Sequence, residues 1–184
     1  MVVWDVGAHA GFYTVAFSRL VGTSGAVYAF EPFAENVCHL LRHVHLNSLG
    51  NVCVVQVALG ASSELVGFRR APSNSMGSVA SDERSYLVPS VTVDDFLARN
   101  PGAHPDLLKI DVEGAEADVL MGASEFLRKA SPQIVLALHG THQAQRCTAI
   151  LTALEYSLYY LDGAPATDKP LKSHEIYARR DVAQ

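Results

Sequence analysis

This sequence predicts an α/β fold, a mostly parallel sheet with helices on both faces, and three observations carry the prediction. Short apolar runs rich in Val, Ile and Leu alternate with stretches whose apolar residues recur at helical spacing. The first run, VVWDV, passes straight into a glycine-punctuated turn, GAHAG, that opens a helix. The last two runs have no helix between them, and strands joined without a crossover pair antiparallel, so the sheet should end in a hairpin.

In order, VVWDV at 2–6 is the first strand and 12–20 the first helix. AVYAFE at 26–31 and VCVVQVAL at 52–59 are the second and third strands, with an amphipathic helix over 34–47 between them. ELVGFRR at 64–70 and the SYLVPSVTV region at 85–93 suit edge strands. Between them, APSNSMGSVASDERS is rich in Ser, Asn and Gly and is not expected to hold regular structure; a flexible polar insertion is expected over about 71–90. DLLKIDV at 106–112 and QIVLALH at 133–139 are the next strands, followed by helical patterns over 115–129 and 142–155. SLYYLD at 157–162 and HEIYARR at 174–180 supply the closing hairpin.

The chain has 184 residues, 49% of them hydrophobic, and no internal repeat, which suits a single domain over 1–184. Fourteen basic residues against nineteen acidic ones leave a net charge of -5, and no segment gathers Lys and Arg into a stripe, so nucleic acid is not an expected partner. No apolar run approaches the roughly 18 residues that span a bilayer, and no signal peptide follows Met1, so a cytoplasmic location is expected. Cys38, Cys53 and Cys147 are odd in number and far apart, and are expected to be small buried hydrophobes.

The turn after the first strand has the spacing Asp5-x-Gly7-x-x-x-Gly11. A dinucleotide fingerprint would need Gly where His9 stands and a small residue in place of Phe12, so pyrophosphate binding is disfavoured. A carboxylate at Asp5 would repel phosphate, but suits an ammonium or a water bridging to one. Glu31 ends the second strand, where a carboxylate can accept both hydroxyls of a ribose. A ligand with a ribose, a free ammonium and no phosphate fits both groups, and S-adenosyl-L-methionine is such a ligand.

DVGAHAGFYT, AFEPFAEN, LLKIDVEGAEADVLMGA and the late LALH resemble, in order and spacing, the FkbM-type family of S-adenosylmethionine-dependent methyltransferases over about residues 2–140. The resemblance implies a class I methyltransferase, a Rossmann-like three-layer sandwich. Its mostly parallel seven-stranded sheet would run 3-2-1-4-5-7-6 with an antiparallel last strand. It implies O-methylation of a hydroxyl on a sugar, glycolipid or other natural product, so the expected partner is a small-molecule or glycan acceptor; a homodimer stays open. It further implies a cofactor site built from Asp5, Gly7, Ala8, His9, Gly11, Phe12, Tyr13, Glu31, Pro32, Asn36 and Ala58. Two features depart from the family: His9 replaces a common Asn, and residues that usually precede the first strand are missing, so a truncated N-terminus is an expectation.

KIDVEGAE sets Lys109, Asp111 and Glu113 at alternate positions at the end of a central strand. Charges that deep need partners. A structural ion pair, with Gly114 turning the chain and Glu116 in the first helical turn, is one account. The other is location: Asp5, Glu31, Asp111 and His139 each end a predicted strand on the edge where open α/β sheets hold ligands. Asp111 and Glu113 would then meet the acceptor, Asp111 being weakened as a base by Lys109 and suited to orienting the acceptor or an ammonium. His139, an imidazole able to accept a proton, would take the acceptor's proton.

No metal is assigned. His39 and His43 have zinc-like i, i+4 spacing near His45, and Asp111, Glu113 and His139 could form an oxygen-rich Mg2+ site, but neither set is preferred. Ser73, Ser75, Ser78 and Ser81 lack a GxSxG context and suit a lid or acceptor contact. The alternatives to a methyltransferase are a cofactor-binding but inactive interaction module and a nucleotide-dependent oxidoreductase.

Overall fold

A computed structural model describes residues 1–70, 77–79, 86–168, 171 and 174–180. β1 (Val2–Val6), β2 (Ala26–Phe30) and β3 (Val52–Val55) alternate with α1 (Phe12–Val21) and α2 (Ala34–Leu46). β4 (Ala58–Leu59), β5 (Glu64–Arg70), β6 (Gly77–Val79) and β7 (Tyr86–Val91) precede α3 (Val93–Arg99) and a 3-10 turn at Pro101–Ala103. β8 (Leu107–Ile110), α4 (Glu116–Met121), α5 (Ser124–Ala130) and β9 (Gln133–Ala137) follow. α6 (Thr141–Ala153), β10 (Ser157–Tyr160) and β11 (Glu175–Arg179) end the described elements.

Seven strands form one sheet in the order β10-β11-β9-β8-β1-β2-β3. Counted along the chain within that sheet, this is the expected 3-2-1-4-5-7-6. β11 runs antiparallel to both β9 and β10, as the missing crossover helix requires, and the other neighbours are parallel. Strand alternation feeds two cores. Trp4, Phe30, Leu108, Ile110 and Ile134 join buried residues of α3, α4, α5 and α6, while Ala29, beside Phe30, packs with Ala8 and Leu40 of α2. The Trp4 ring lies 4.6 Å from Phe30 and edge-on to Phe96 at 5.3 Å, and its indole N–H donates to the Ala103 carbonyl at 2.7 Å.

Several expectations are corrected. The third strand is two: β3 stays in the main sheet, whereas β4 pairs with β7 in a second sheet of order β4-β7-β5-β6. That sheet contains both expected edge strands, ELVGFRR and YLVPSV, which pair antiparallel with each other. Part of the polar insertion is regular, because Gly77–Val79 pairs with β5 as β6. Residues 71–76 and 80–85, with Ser73, Ser75 and Ser81, lie outside the described residues, as does the side chain of Ser78.

The helix expected over 115–129 is α4 and α5, separated at Gly122, where a Cβ would come within 2.0 Å of the Gly60 carbonyl oxygen. α5 starts afresh with the Glu125 and Phe126 N–H groups donating to the Asp94 carboxylate. α3 was not anticipated, although TVDDFLAR holds its signal: Asp95 N–H donates to the N-cap hydroxyl of Thr92 at 3.0 Å. Cys147 is buried as expected, but Cys38 on the outer face of α2 and Cys53 on edge strand β3 are exposed. Burial, reinforced by the nearby Glu116 charge, pushes the Cys147 thiol up to about 12.

The chain crosses from β1 to α1 at a point with no room for a side chain. Gly7 has φ +79°, and a Cβ there would lie 1.9 Å from the Asp111 carbonyl oxygen. Gly7→Ala is therefore expected to lower the free energy of unfolding by about 3 kcal/mol. Gly50→Ala, with open space around it, should change it by less than about 1 kcal/mol. Urea denaturation of both variants reads the difference, and equal losses would deny Gly7 this role.

Candidate functional site

At the carboxyl ends of β1, β2 and β8 a cavity of about 310 Å³ opens between the main sheet and the second sheet. Gly7, Ala8, His9, Phe12 and Tyr13 form one wall, Glu31, Pro32 and Asn36 another, and Lys109, Asp111 and Glu113 a third. Ala58, Leu59 and Phe68 close it from the second sheet. The open sheet thus places its cavity where strand order reverses, between β1 and β8.

Nine of the eleven expected cofactor residues line this cavity; Asp5 and Gly11 do not. Asp5 was expected to meet an ammonium directly or through water, and that expectation is corrected. Its side chain is 0% exposed, with Oδ1 ion-paired to Lys109 Nζ at 3.0 Å and Oδ2 accepting from the Thr14 hydroxyl at 2.6 Å. A carboxylate so placed neutralises Lys109 from behind the wall. Gly11 also serves the fold, since a Cβ there would meet Leu40 Cδ1 at 2.4 Å.

Four of the turn's amides are spent within the protein. Gly7 and Ala8 N–H both donate to the Phe30 carbonyl, Gly11 N–H donates to the Ala8 carbonyl, and His9 N–H donates to Glu31 Oε2 at 2.9 Å. A phosphate cradle needs such groups free and aimed at the ligand, so the geometry agrees with the missing glycine pattern. His9 sits at φ 51°, a left-handed conformation that His and Asn tolerate better than most residues. His43 of α2 braces the same turn through Nδ1, 2.6 Å from the Ala10 carbonyl oxygen. With His39 and His45 exposed on the same helix, these histidines form no ligand cluster among the described residues.

Glu31 is buried and busy. Oε1 accepts from Phe33 N–H at 3.0 Å and Asn36 Nδ2 at 3.2 Å, and Oε2 accepts the His9 N–H. A carboxylate offers about four acceptor positions, so one remains for a hydroxyl in the cavity.

Lys109 is the electrostatic hub. Only 6% exposed, it pairs with Asp5, lies 3.5 Å from Asp111 Oδ2, donates to the Gly7 carbonyl at 3.2 Å and sits 5.0 Å from the centre of the Tyr13 ring. Beyond it, Asp111, Glu113 and His139 come together at the ends of β8 and β9. His139 Nε2 is 3.4 Å from Glu113 Oε2 and 3.7 Å from Asp111 Oδ1. His139 stands beside the cavity rather than in its wall. These three are the one His/Cys/Asp/Glu group among the described residues close enough to share a cation, and at these distances they also suit a hydroxyl and its proton. Glu113 holds φ 52°, strain of the sort that collects at functional sites.

Sequence reasoning missed Leu59, Phe68, Val112 and Ala115 in the wall, and placed Glu116 only as a helix-terminal charge. Phe68 arrives through the second sheet, for which the sequence holds no direct signal. No helix among the described residues is long and apolar enough to cross a membrane.

The sequence matches the methyltransferase FkbM domain family over residues 5–161. It is 26% identical over 157 residues to the hexuronic acid methyltransferase AglP of Haloferax volcanii, covering 85% of this chain and 63% of that protein. Methyltransferase 1 of Beauveria bassiana is 28% identical over 144 residues, covering 66% and 57%. The chain thus spans about three fifths of the length of these relatives. Among solved structures, an FkbM methyltransferase from Methylobacillus flagellatus superposes with a TM-score of 0.68 at 17% identity, covering 96% of this chain and 42% of that one. Aeropyrum pernix fibrillarin, solved with natively bound S-adenosyl-L-methionine, gives a TM-score of 0.57 at 15% identity, covering 97% and 65%.

Lys109→Met should cost about 3 kcal/mol of unfolding free energy, because it strands the Asp5 charge in the interior. Adding Asp5→Leu should return most of that loss. Thermal and urea melts of the single and double variants read this out, and a double variant no better than the single would place the loss elsewhere.

Proposed function

The chain belongs to the FkbM family of methyltransferases, and from that premise we propose that it is an S-adenosylmethionine-dependent O-methyltransferase acting on a hydroxyl of a sugar, glycolipid or other natural product. Glycans that carry hexuronic acid are the first class to test, by similarity to the Haloferax volcanii enzyme. The observation that carries the reading is the shared edge: one cavity with Glu31 on one side and Asp111 on the other, continuous with the Asp111, Glu113 and His139 cluster.

The donor set fits the cofactor. Glu31 keeps an acceptor position for a ribose hydroxyl, Asp111 offers a half-buried carboxylate to an ammonium, and no free loop amide among Gly7, Ala8, His9 and Gly11 asks for phosphate. His9, Pro32, Asn36 and Ala58 shape the same wall, with Phe12 and Tyr13 at its edge. When bound, S-adenosylmethionine supplies a methyl group on a sulfonium. The protein's share is to align an acceptor hydroxyl, exclude water and receive a proton. Glu113 orients the hydroxyl, a part open to Asp111 as the alternative to its ammonium role, and His139 Nε2 receives its proton. A nucleotide-dependent oxidoreductase is disfavoured by the spent amides of the turn.

Calorimetry should detect S-adenosylmethionine and S-adenosylhomocysteine but not NAD, and binding of NAD alone would overturn the reading. Glu31→Gln should weaken S-adenosylhomocysteine by about ten- to hundredfold, the worth of a hydrogen bond to a charged acceptor. Methyl transfer to glucuronate or glucuronate-containing oligosaccharides, traced with a labelled methyl group, tests the acceptor class. Labelling only of uncharged sugars would move the acceptor away from hexuronic acids.

A further inference from the structure

His139 is gripped from its far side. Nδ1 lies 2.6 Å from Glu116 Oε1, the shortest of the ring's contacts with the three carboxylates around it. Glu116 opens α4 and its side chain is 0% exposed. Oε1 also accepts the Gly114 N–H at 2.9 Å, while Oε2 meets no donor among the described residues. Gln143 of α6 ties the same turn down, donating to the Gly114 carbonyl and accepting the Ala117 N–H at 3.3 Å. A carboxylate buried this deeply is tolerated only with strong donors, and an ionised carboxylate can only accept. The proton of the neutral imidazole then belongs on Nδ1, which leaves the lone pair on Nε2, the nitrogen that faces Glu113 and Asp111.

We propose that Glu116 is a positioning residue that holds His139 as the Nδ1–H tautomer and balances the charge that His139 gains when Nε2 takes a proton. The inference rests on the methyl-transfer reading and assigns a residue to which that reading gives no part. In the transfer, the acceptor O–H bond breaks, its proton forms a bond to Nε2, and the oxygen binds the methyl group with the freed electron pair as the methyl–sulfur bond breaks and leaves its own pair on sulfur. The positive charge lost from sulfur reappears on the imidazolium, beside Glu116. Glu116 touches neither acceptor nor cofactor and acts through the ring.

The charged groups facing the imidazole are Asp111 and Glu113 from the β8 to α4 turn and Glu116 from α4; Lys109 stands behind Asp111, and Gln143 brings no charge. Long-range proton–nitrogen NMR on the chain labelled in its histidine rings, with His139 assigned by loss of its signal in His139→Asn, reads the tautomer above neutrality. The expected result is Nδ1–H, and Nε2–H would overturn the proposal. In Glu116→Gln, with its amide spectrum otherwise preserved, the Nδ1–H share of the neutral ring should fall, because a carboxylate holds that proton more strongly than an amide oxygen does. Glu116→Asp should recover part of that share, and an unchanged tautomer share in Glu116→Gln would overturn the proposal. With S-adenosylmethionine and glucuronate, Glu116→Gln should cut kcat at least about tenfold and leave KM for the cofactor unchanged. The NMR arms need neither cofactor nor acceptor, so a failed methyl-transfer reading shows in the calorimetry alone.

Discussion

The structure turns on the ion pair between Asp5 and Lys109. Both charges lie in the interior, where each alone would cost several kcal/mol, so they hold β1 and β8 at a fixed separation at the ligand-bearing end of the sheet. The pair is also reinforced. Thr14 donates to the far oxygen of Asp5, and Lys109 reaches the Gly7 carbonyl and Asp111. One buried cation therefore connects the first helix, the glycine turn and the strand end that carries the acidic cluster.

The same junction explains why the turn is tight and selective. Gly7 lies against the backbone of Asp111 with no space for a β-carbon, which seats the turn close to the sheet. At that distance its amides find partners in Phe30, Ala8 and Glu31, and little is left for an anion. A loop that satisfies itself in this way offers the cavity side chains and shape rather than amides, and the side chains at its mouth are Glu31, Asp111 and the rings of Phe12 and Tyr13.

Much of this was legible in the chain. Parallel βα alternation, the closing hairpin, Glu31 at the end of β2 and the cluster at the ends of β8 and β9 all follow from local pattern, because strand ends and helix starts leave marks of apolar period, glycine and charge. The second sheet was legible only as separate edge strands. Its pairings join residues far apart in sequence, β4 with β7 and β5 with β7, and the break after Val55 has no local mark. α3 carried a readable cap in Thr92 and Asp95 that the run of apolar residues before it obscured.

By itself the sequence determined the fold class, the closing hairpin and which residues share the carboxyl edge of the sheet, since these rest on periodicity and chain connectivity; the order of the main sheet was implied by the family resemblance. It could not determine which of two neighbouring carboxylates faces a ligand and which faces a counter-ion. Asp5 and Glu116 read as a strand-end ligand and a helix-start charge. Packing made them the buried partners of Lys109 and His139, Glu116 from the first helical turn where it was expected. That decision belongs to the tertiary structure, because a charge takes its role from what surrounds it in space, and those surroundings come from strands and helices as distant along the chain as Asp5 is from Lys109.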